Sequence, residues 1–177
     1  MNELVVLSGK GGTGKTSVTA SLAALAVEPV LADCDVDASN LPLVLDPRPH
    51  RREEFTGGLC ASIQPGRCTA CGKCEELCRF DAISPDGPGN GRVPRTLRVD
   101  PAACEGCGVC AHFCAEGAIE LAAADSGEWF LSDTRFGPLV HARLRPGRGN
   151  SGKLVTLVRE QARQAARAAG RRLILID

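Results

Sequence analysis

The chain has 177 residues, with 21 basic and 21 acidic side chains and therefore a formal net charge of zero. This balance excludes a generally basic nucleic-acid-binding protein and an acidic disordered chain. Hydrophobic residues make up 44% of the chain and aromatic residues only 3%, so aliphatic and alanine side chains must fill the core. No apolar run reaches the roughly 18 residues of a membrane span, and no signal-peptide pattern begins the chain. We therefore expect a cytoplasmic protein with no membrane span and no nucleic-acid partner.

Strands and helices are predicted to alternate at the two ends of the chain. The apolar run at residues 4–7 is typical of a buried strand, and residues 30–32 predict a second one. A helix is predicted between them over residues 16–27. Near the other end, Ser151 is a plausible N-cap for a helix to about residue 169 that Gly170 terminates, and residues 173–176 form another apolar strand. The side chains predicted to face inward from the first helix are Val18, Leu22, Leu25 and Ala26. This alternation predicts a parallel α/β sheet.

The middle of the chain has a different character, because it is rich in cysteine and contains an internal repeat. Eight of the ten cysteines fall between Cys68 and Cys114. The spacing of the first four is repeated by the second four, 36 residues later. In a reducing compartment such clustered thiols indicate metal ligands. We interpret residues 60–122 as a duplicated half-domain inserted into an α/β domain formed by residues 1–59 and 123–177.

A glycine-rich loop follows the first strand. Residues 9–16 read GKGGTGKT and fit G-x-x-x-x-G-K-[ST] between a strand and a helix, which is the context that a phosphate-binding loop requires. Its backbone N–H groups and the helix N-terminus favour phosphate. Lys15 is expected to reach the β- and γ-phosphates of ATP, or the β-phosphate of ADP, and the Thr16 hydroxyl to ligate Mg²⁺.

Carboxylates follow two of the predicted strands. The second strand is followed by Asp33 and Asp35, at the end of a parallel strand where α/β sheets bind ligands. Asp37 and Asn40 are interpreted as capping the next turn. Asp177 ends the last apolar strand.

Each half of the cysteine repeat reads C-x₂-C-x₂-C-x₃-C and resembles the run of bacterial two-cluster ferredoxins, in which the fourth cysteine ligates the other cluster. That resemblance implies two [4Fe-4S] clusters with crossed ligand sets. Cluster one is expected to use Cys68, Cys71, Cys74 and Cys114, and cluster two Cys104, Cys107, Cys110 and Cys78. The ferredoxin run usually has proline after the fourth cysteine, where this chain has Arg79 and Ala115.

The metal of the repeat and the role of three further residues also need an interpretation. Zinc is the competing interpretation of the repeat, but two complete four-cysteine runs in tandem disfavour it. Cys34 and Cys60, outside the repeat, are interpreted as core thiols. His112 is interpreted as a surface residue and not as a ligand.

Together these motifs resemble MinD/ParA-type P-loop ATPases that carry an inserted ferredoxin domain, and residues 134–142 and 149–153 also fit that group. The resemblance implies that Lys10 contacts nucleotide across a homodimer formed through the nucleotide face. It implies that Asp35, or alternatively Asp33, orients the attacking water near Mg²⁺, and that Asp177 supports the Mg²⁺ shell. The nucleotide-binding residues would be Gly9, Lys10, Gly11, Gly12, Thr13, Gly14, Lys15, Thr16 and Ser17. Because that group continues with a second switch, we expect the sheet to be incomplete.

The resulting functional hypothesis is an ATPase that couples its nucleotide state to electron transfer through the two clusters. The alternatives are a carrier or assembly factor for iron–sulfur clusters, and a module that binds nucleotide without hydrolysing it. A redox protein or a cluster acceptor would be the partner. Residues 131–177 hold 10 basic and 3 acidic residues; Arg159, Arg163 and Arg167 recur there at helical spacing. They predict either a solvated helix face or a docking patch for an acidic partner.

Overall fold

A computed structural model describes residues 1–10, 12–146 and 151–177, apart from the side chain of Ser151. It contains both helices and strands. The strands are β1 (Asn2–Val5), β2 (Val30–Ala32), β3 (Arg48–Ile63), β4 (Ile83–Gly87), β5 (Thr96–Val99), β6 (Ile119–Thr134), β7 (Gly137–Leu144) and β8 (Leu173–Ile176). The helices are α1 (Lys15–Leu25), α2 (Leu41–Leu45), α3 (Lys73–Glu76), α4 (Val109–His112) and α5 (Ser151–Ala168). None of the described helices combines the length and the apolar character needed to cross a bilayer.

The chain divides into two compact units. One comprises residues 1–55, 127–145 and 150–177, and the other residues 56–126 and 146–149. The junctions fall inside the long strands β3 and β6, four residues away from the boundaries that the sequence suggests at 59/60 and 122/123. We call the second unit the insert.

A six-stranded sheet with the order β1-β8-β2-β7-β6-β3 contains the strands of the first unit. The β1–β8, β8–β2 and β2–β7 pairs are parallel, and the β6–β7 pair is antiparallel. The parallel part is therefore continued by an antiparallel part, which makes the sheet mixed. Val30, Leu31 and Ala32 of β2 are fully buried, because a central parallel strand is covered on both faces.

Helix α5 covers one face of this sheet. Its buried side chains recur at helical spacing and pack against β2, β7 and β8. They are Leu154, Val158, Ala162 and Ala166. Gly170 ends the helix as predicted, with φ at 66°, and the next amide, Arg171 N–H, donates to the Ala166 carbonyl at 2.8 Å. This closure satisfies carbonyls that the helix end would otherwise leave unpaired.

Two predictions about burial near the N-terminus are wrong. The first strand is Asn2–Val5, and Leu4 and Val5 remain 45% and 44% exposed because β1 is the outermost strand on its side of the described sheet. In α1 the buried positions are Thr19 and Ala23, whereas Val18 and Leu25 are 50% and 82% exposed. The buried stripe is rotated because the Thr19 hydroxyl donates to Asp177 at 2.6 Å. Leu22 and Ala26 pack against the core as predicted.

The insert has a two-fold repeat in its backbone. Helix α4 lies 36 residues after α3, and the left-handed residues Ala70, Gly72 and Asp81 are repeated by Gly106, Gly108 and Gly117 at the same offset. Hydrogen bonds repeat as well. The Asp100 N–H donates to the Ala82 carbonyl at 2.7 Å, and the Gln64 N–H donates to the Ala118 carbonyl at the same distance. The insert therefore consists of two halves with the same local structure.

Candidate functional site: a phosphate-loop cleft and two cysteine cavities

The first candidate site is an open cleft of about 1040 Å³ in the first unit. It lies where the parallel strands β1, β8 and β2 end, and ligands of open α/β sheets bind at such carboxyl ends. The loop before α1 lines it with Gly9, Lys10 and residues 12–17. Gly11 lies outside the described residues. Gly12 and Gly14 adopt φ values of 75° and 86°, which side chains rarely tolerate, and this is the physical reason for glycine there.

Lys15 connects the glycine-rich loop to the carboxylates that follow β2 and β8. Its Nζ lies 3.2 Å from Asp35 Oδ2 and 3.5 Å from Asp177 Oδ2. The Lys15 pKa is shifted upward: partial burial lowers it, and the hydrogen bond to Asp35 and the charge of Asp177 together raise it by more. Lys15 is therefore held as a cation at the N-terminus of α1, and a contact to phosphate requires this charge.

Asp177 is the most constrained carboxylate of the cleft. Its side chain is fully buried. It accepts hydrogen bonds from Thr16 Oγ1 at 2.9 Å and Thr19 Oγ1 at 2.6 Å. Thr19 Oγ1 also lies 3.1 Å from the Lys15 carbonyl oxygen. A hydroxyl and carboxylates that converge on the loop are oxygen ligands of the type that Mg²⁺ prefers, so these residues could hold Mg²⁺.

The structure distinguishes the two aspartates after β2. Asp35 is part-exposed, lines the cleft and contacts Lys15. Asp33 is fully buried. Its carboxylate accepts from Ser39 Oγ at 2.8 Å, from the Leu41 N–H at 3.1 Å and from the Asp35 N–H at 3.0 Å. Burial raises the pKa of Asp33 to about 6, although these hydrogen bonds act to lower it.

The capping prediction for this segment therefore needs correction. Asn40 precedes α2 but its side chain makes no capping hydrogen bond, and Asp37 is exposed. Asp33 takes the role instead, because its buried carboxylate accepts the first amide of α2. Sequence reasoning missed this role because capping is normally read from the residues immediately before a helix, and Asp33 lies eight residues before Leu41.

The remaining predicted residues of this unit have simple surroundings. Lys10 is exposed at the cleft, and its carbonyl accepts from Thr13 Oγ1 at 3.2 Å. Ser17 also lines the cleft. Cys34 is half-buried against the core, and burial raises its pKa to about 11, so its thiol stays protonated. Arg159 and Arg163 are not free, because both bind the Glu3 carboxylate of β1.

Some predicted features lie outside the described part of the chain. Of the stretch 149–153, Gly149 and Asn150 lie outside it, and the predicted N-cap side chain of Ser151 does too. Residues 134–142 comprise the end of β6, the turn and the first six residues of β7. The Thr134 hydroxyl donates to the Gly137 carbonyl at 2.7 Å. A Cβ at Gly137 would meet the Pro29 carbonyl at 2.2 Å, so only glycine fits this close approach.

The second candidate site is a pair of cavities in the insert, each lined by four cysteines. One cavity, of about 140 Å³, is lined by Cys68, Cys71, Cys74 and Cys114. The other, of about 20 Å³, is lined by Cys78, Cys104, Cys107 and Cys110. The two groups coincide with the crossed ligand sets expected from the ferredoxin resemblance. All eight thiols are free of disulfide bonds.

The surroundings of these thiols fit a cluster of iron and sulfide. The Ala82 N–H donates to Cys78 Sγ at 3.4 Å, and the Ala118 N–H donates to Cys114 Sγ at 3.3 Å. Such donors are a means by which proteins hold and tune iron–sulfur clusters. Burial raises the pKa of Cys74 to about 11 and also raises that of Cys110. These thiols therefore need a bound cation to ionise.

The other cysteine and histidine predictions concern residues outside the two cavities. Cys60 is half-buried, and its Sγ lies 3.6 Å from the Ala61 carbonyl. His112 is exposed and packs edge-on against Phe113, with ring centroids 4.9 Å apart. Arg79 and Ala115, in place of the usual prolines, are exposed, and Ala115 lines the first cavity.

Comparison with known proteins identifies the insert. Residues 67–118 match the family model of the 4Fe-4S dicluster domain, and this segment includes all eight cysteines. The chain thus contains an iron–sulfur domain of the two-cluster ferredoxin type. An uncharacterized protein of Methanocaldococcus jannaschii is 34% identical over 165 residues, which cover 92% of this chain. The aligned region is 55% of that relative, so this chain spans about half of its length.

Proposed function

We propose that this chain is an ATP-binding iron–sulfur protein that couples nucleotide binding and hydrolysis to electron transfer through two [4Fe-4S] clusters. The observation that carries the proposal is that one chain has both a phosphate-loop cleft and two four-cysteine cavities. The dicluster domain supplies the redox half of this function. The nucleotide half rests on the residues of the cleft.

In the proposed nucleotide complex, Lys15 exchanges its contact with Asp35 for the β- and γ-phosphates. The loop amides and the N-terminus of α1 support the same negative charge. Thr16 ligates Mg²⁺, with Asp177 beside it, because these two side chains are already hydrogen-bonded at 2.9 Å. In this assignment Mg²⁺ offsets the phosphate charge, and Asp177 fixes the Thr16 hydroxyl.

Hydrolysis is assigned to Asp35 and Lys10. Asp35 orients the attacking water, since it is the part-exposed carboxylate of its segment and Asp33 is committed to internal hydrogen bonds. Lys10 is exposed at the cleft and would reach the nucleotide of a second copy in a homodimer. Release of Lys15 from Asp35 on ATP binding would change the conformation of the segment that precedes α2 and β3. We propose that this change alters how the insert binds a redox partner.

Titration calorimetry with ATP and Mg²⁺ tests the nucleotide half. Lys15→Ala is expected to weaken ATP binding by about 100-fold or more, because charge-assisted contacts to phosphate are among the strong hydrogen bonds. Lys153→Ala is the matched control, since Lys153 is an exposed lysine on α5. Equal affinity in the Lys15 variant and the wild type would show that the loop is not the nucleotide site.

Anaerobic purification with iron and sulfide analysis and EPR spectroscopy tests the cluster half. About eight irons per chain and two reducible signals are expected for two four-iron clusters. One or two zinc ions without iron would contradict the proposal. ATP should then alter the EPR spectrum or the reduction potentials in the wild type and leave both unchanged in Lys15→Ala.

A second candidate function is delivery of iron–sulfur clusters. It is favoured by Cys71 and Cys107, which are exposed, one in each four-cysteine group. An exposed ligand gives an acceptor protein a route to the metal. Incubation with an apo-ferredoxin distinguishes the two functions. Rapid loss of iron to the acceptor supports delivery, and reversible reduction with all iron retained supports electron transfer.

A further inference from the structure

The two halves of the insert differ at one position that determines how closely a strand approaches a cysteine loop. In the second half, the loop residue Gly106 faces the Leu59 carbonyl of β3. A Cβ at Gly106 would lie 2.0 Å from that oxygen, which no side chain can tolerate. The equivalent residue of the first half is Ala70, which has nearly the same backbone conformation, with φ at 57° against 64°. Its methyl group occupies the space that Gly106 leaves open.

This close approach has a consequence for a cysteine sulfur. The Ala61 N–H, two residues after Leu59, donates to Cys104 Sγ at 3.5 Å. At the 36-residue offset of the repeat, Leu97 of β5 is the equivalent of Ala61, and Cys68 is the equivalent of Cys104. Within residues 56–126, all of which the structure describes, there is no corresponding hydrogen bond from Leu97 to Cys68. The other hydrogen bonds to the ligand cysteines, from Ala82 and Ala118, are the same in both halves.

We infer that Gly106 makes the reduction potentials of the two clusters unequal. Because Gly106 has no side chain, β3 can approach the cysteine loop closely, and the Ala61 N–H then reaches a ligand sulfur of cluster two alone. The inference rests on the proposed presence of both clusters. A hydrogen bond to a coordinating sulfur disperses negative charge and so favours the reduced cluster. Cluster two, with Cys78, Cys104, Cys107 and Cys110, therefore has the higher reduction potential and holds the first electron. Gly106 is a positioning residue, since it acts through Leu59 and Ala61.

Nearby charges act in the opposite direction. Glu105 lines the second cavity and disfavours an added electron there, whereas the first cavity is lined by both Lys73 and Glu116, whose charges oppose each other. All three side chains are exposed, so water and salt screen their effect. The Ala61 N–H contacts the ligand sulfur directly, and we expect this contact to decide the order.

The wild-type protein itself provides the first test. One electron from dithionite converts one of the two clusters from the 2+ to the 1+ state, and no bond forms or breaks. In the half-reduced protein, paramagnetic NMR should place the larger reduction-induced shifts on the β-protons of Cys104, Cys107 and Cys110. Larger shifts on Cys68, Cys71 and Cys74 would overturn the inference.

A pair of mirrored variants provides the second test. In an EPR-monitored redox titration, Gly106→Ala should lower the upper of the two potentials and leave the lower one unchanged, because the added methyl displaces β3. Ala70→Gly, the matched control in the first half, should not lower the upper potential. An upper potential that is unchanged in a fully loaded Gly106→Ala protein would contradict the inference. If neither protein holds iron, the proposed function itself fails, and the two failures are thus distinguishable.

Discussion

The two units of this chain hold their structures by different means. In the first unit, the buried side chains of β2, β7, β8 and α5 belong to two apolar clusters that are mostly aliphatic. In the insert, six of the residues packed together are cysteines of the two cavities, and the helices α3 and α4 have only four residues each. Short helices contribute little stability by themselves. From this comparison we expect the fold of the insert to depend on bound iron–sulfur clusters, whereas that of the first unit depends on apolar burial.

Removal of single cysteines should have the largest effect and tests the insert directly. Cys78→Ala should lose the same cluster as Cys104→Ala, and Cys114→Ala should lose the other. Each variant should retain about four irons instead of about eight, because each cysteine is expected to ligate only one of the two clusters. Iron analysis and EPR of the remaining signal check this.

The outcome that would contradict this prediction is specific. If Cys78→Ala lost the same signal as Cys74→Ala, each run would bind its own cluster and the crossed arrangement would be wrong. Cys60→Ala is the matched control, since Cys60 lines neither cavity. It should keep about eight irons.

Asp33→Ala should give the largest loss of stability in the first unit that does not depend on iron. The variant leaves the amides of Asp35 and Leu41 and the Ser39 hydroxyl without their acceptor. We expect a loss of about 2–3 kcal/mol in the free energy of unfolding, the usual cost of unsatisfied buried donors. Urea unfolding, followed by circular dichroism with the iron content held equal, measures it.

The pH dependence of this loss has a defined sign. Burial raises the folded-state pKa of Asp33 to about 6 from its ordinary 3.8, so its protonation favours the folded state. The wild type therefore gains stability from Asp33 as the pH falls from 6 to 3.8, and the variant lacks that gain. The difference between the two proteins should grow with acidification, and Asp37→Ala, at an exposed position, should show no such growth.

His141→Gln should remove an acid sensitivity of the first unit. His141 is buried, stacks on Phe130, and its Nε2 lies 3.0 Å from Ser132 Oγ. Burial lowers its pKa to about 4, so the folded state resists protonation and the wild type loses stability as the pH falls from 6.5 to 4. The loss attributable to this residue should be about 2 kcal/mol.

Glutamine suits this position because its amide can reach the place of Nε2. Urea unfolding at pH 7 and pH 4.5 should show a smaller decrease for His141→Gln than for the wild type. His50→Gln, at an exposed histidine that pairs with Asp133, is the control. An identical decrease in all three proteins would contradict the prediction.

Glu3→Gln should have the smallest effect. The hydrogen bonds from Arg163 and Arg159 hold the pKa of Glu3 at about 2. Its stabilising contribution is therefore present above pH 4.5 and lost as the pH falls towards 2. Because the two arginines are more than a third exposed, solvent weakens these pairs, and we expect a loss of about 1 kcal/mol at neutral pH. Thermal unfolding at low and high salt checks this, with Glu160→Gln as the control.

The sequence predicted some elements correctly because their signals are local. Residues 30–32 and 173–176 are uninterrupted apolar runs, and both form buried strands. The helix that ends at Gly170 has a capping signal and a strong apolar period. The two groups of cysteines were expected from the resemblance of the repeat to two-cluster ferredoxins, and each group lines one cavity.

Other features could not be predicted because they depend on neighbours distant in sequence. The run at residues 4–7 is as apolar as β8, but its first two residues lie in β1, which has fewer strands beside it and stays exposed. The long strand β3 begins with seven exposed residues, and this first part shows no alternation of buried and exposed side chains. Asp33 caps a helix eight residues away, and the asymmetry at Gly106 requires the position of β3.

The exposed beginning of β3 has a consequence for solubility. β3 is the last strand of the described sheet, and a strand in that place presents backbone groups that could pair with another molecule. Its first residues are Arg48, Pro49, His50, Arg51, Arg52, Glu53 and Glu54. Arg51 lies over the ring of Trp129 at 4.9 Å, and Arg52 binds Glu128 at 2.6 Å, so these charges are fixed along the strand. Addition of a further strand would bring a second chain against this fixed charge and a proline, which disfavours fibre-like association at this edge.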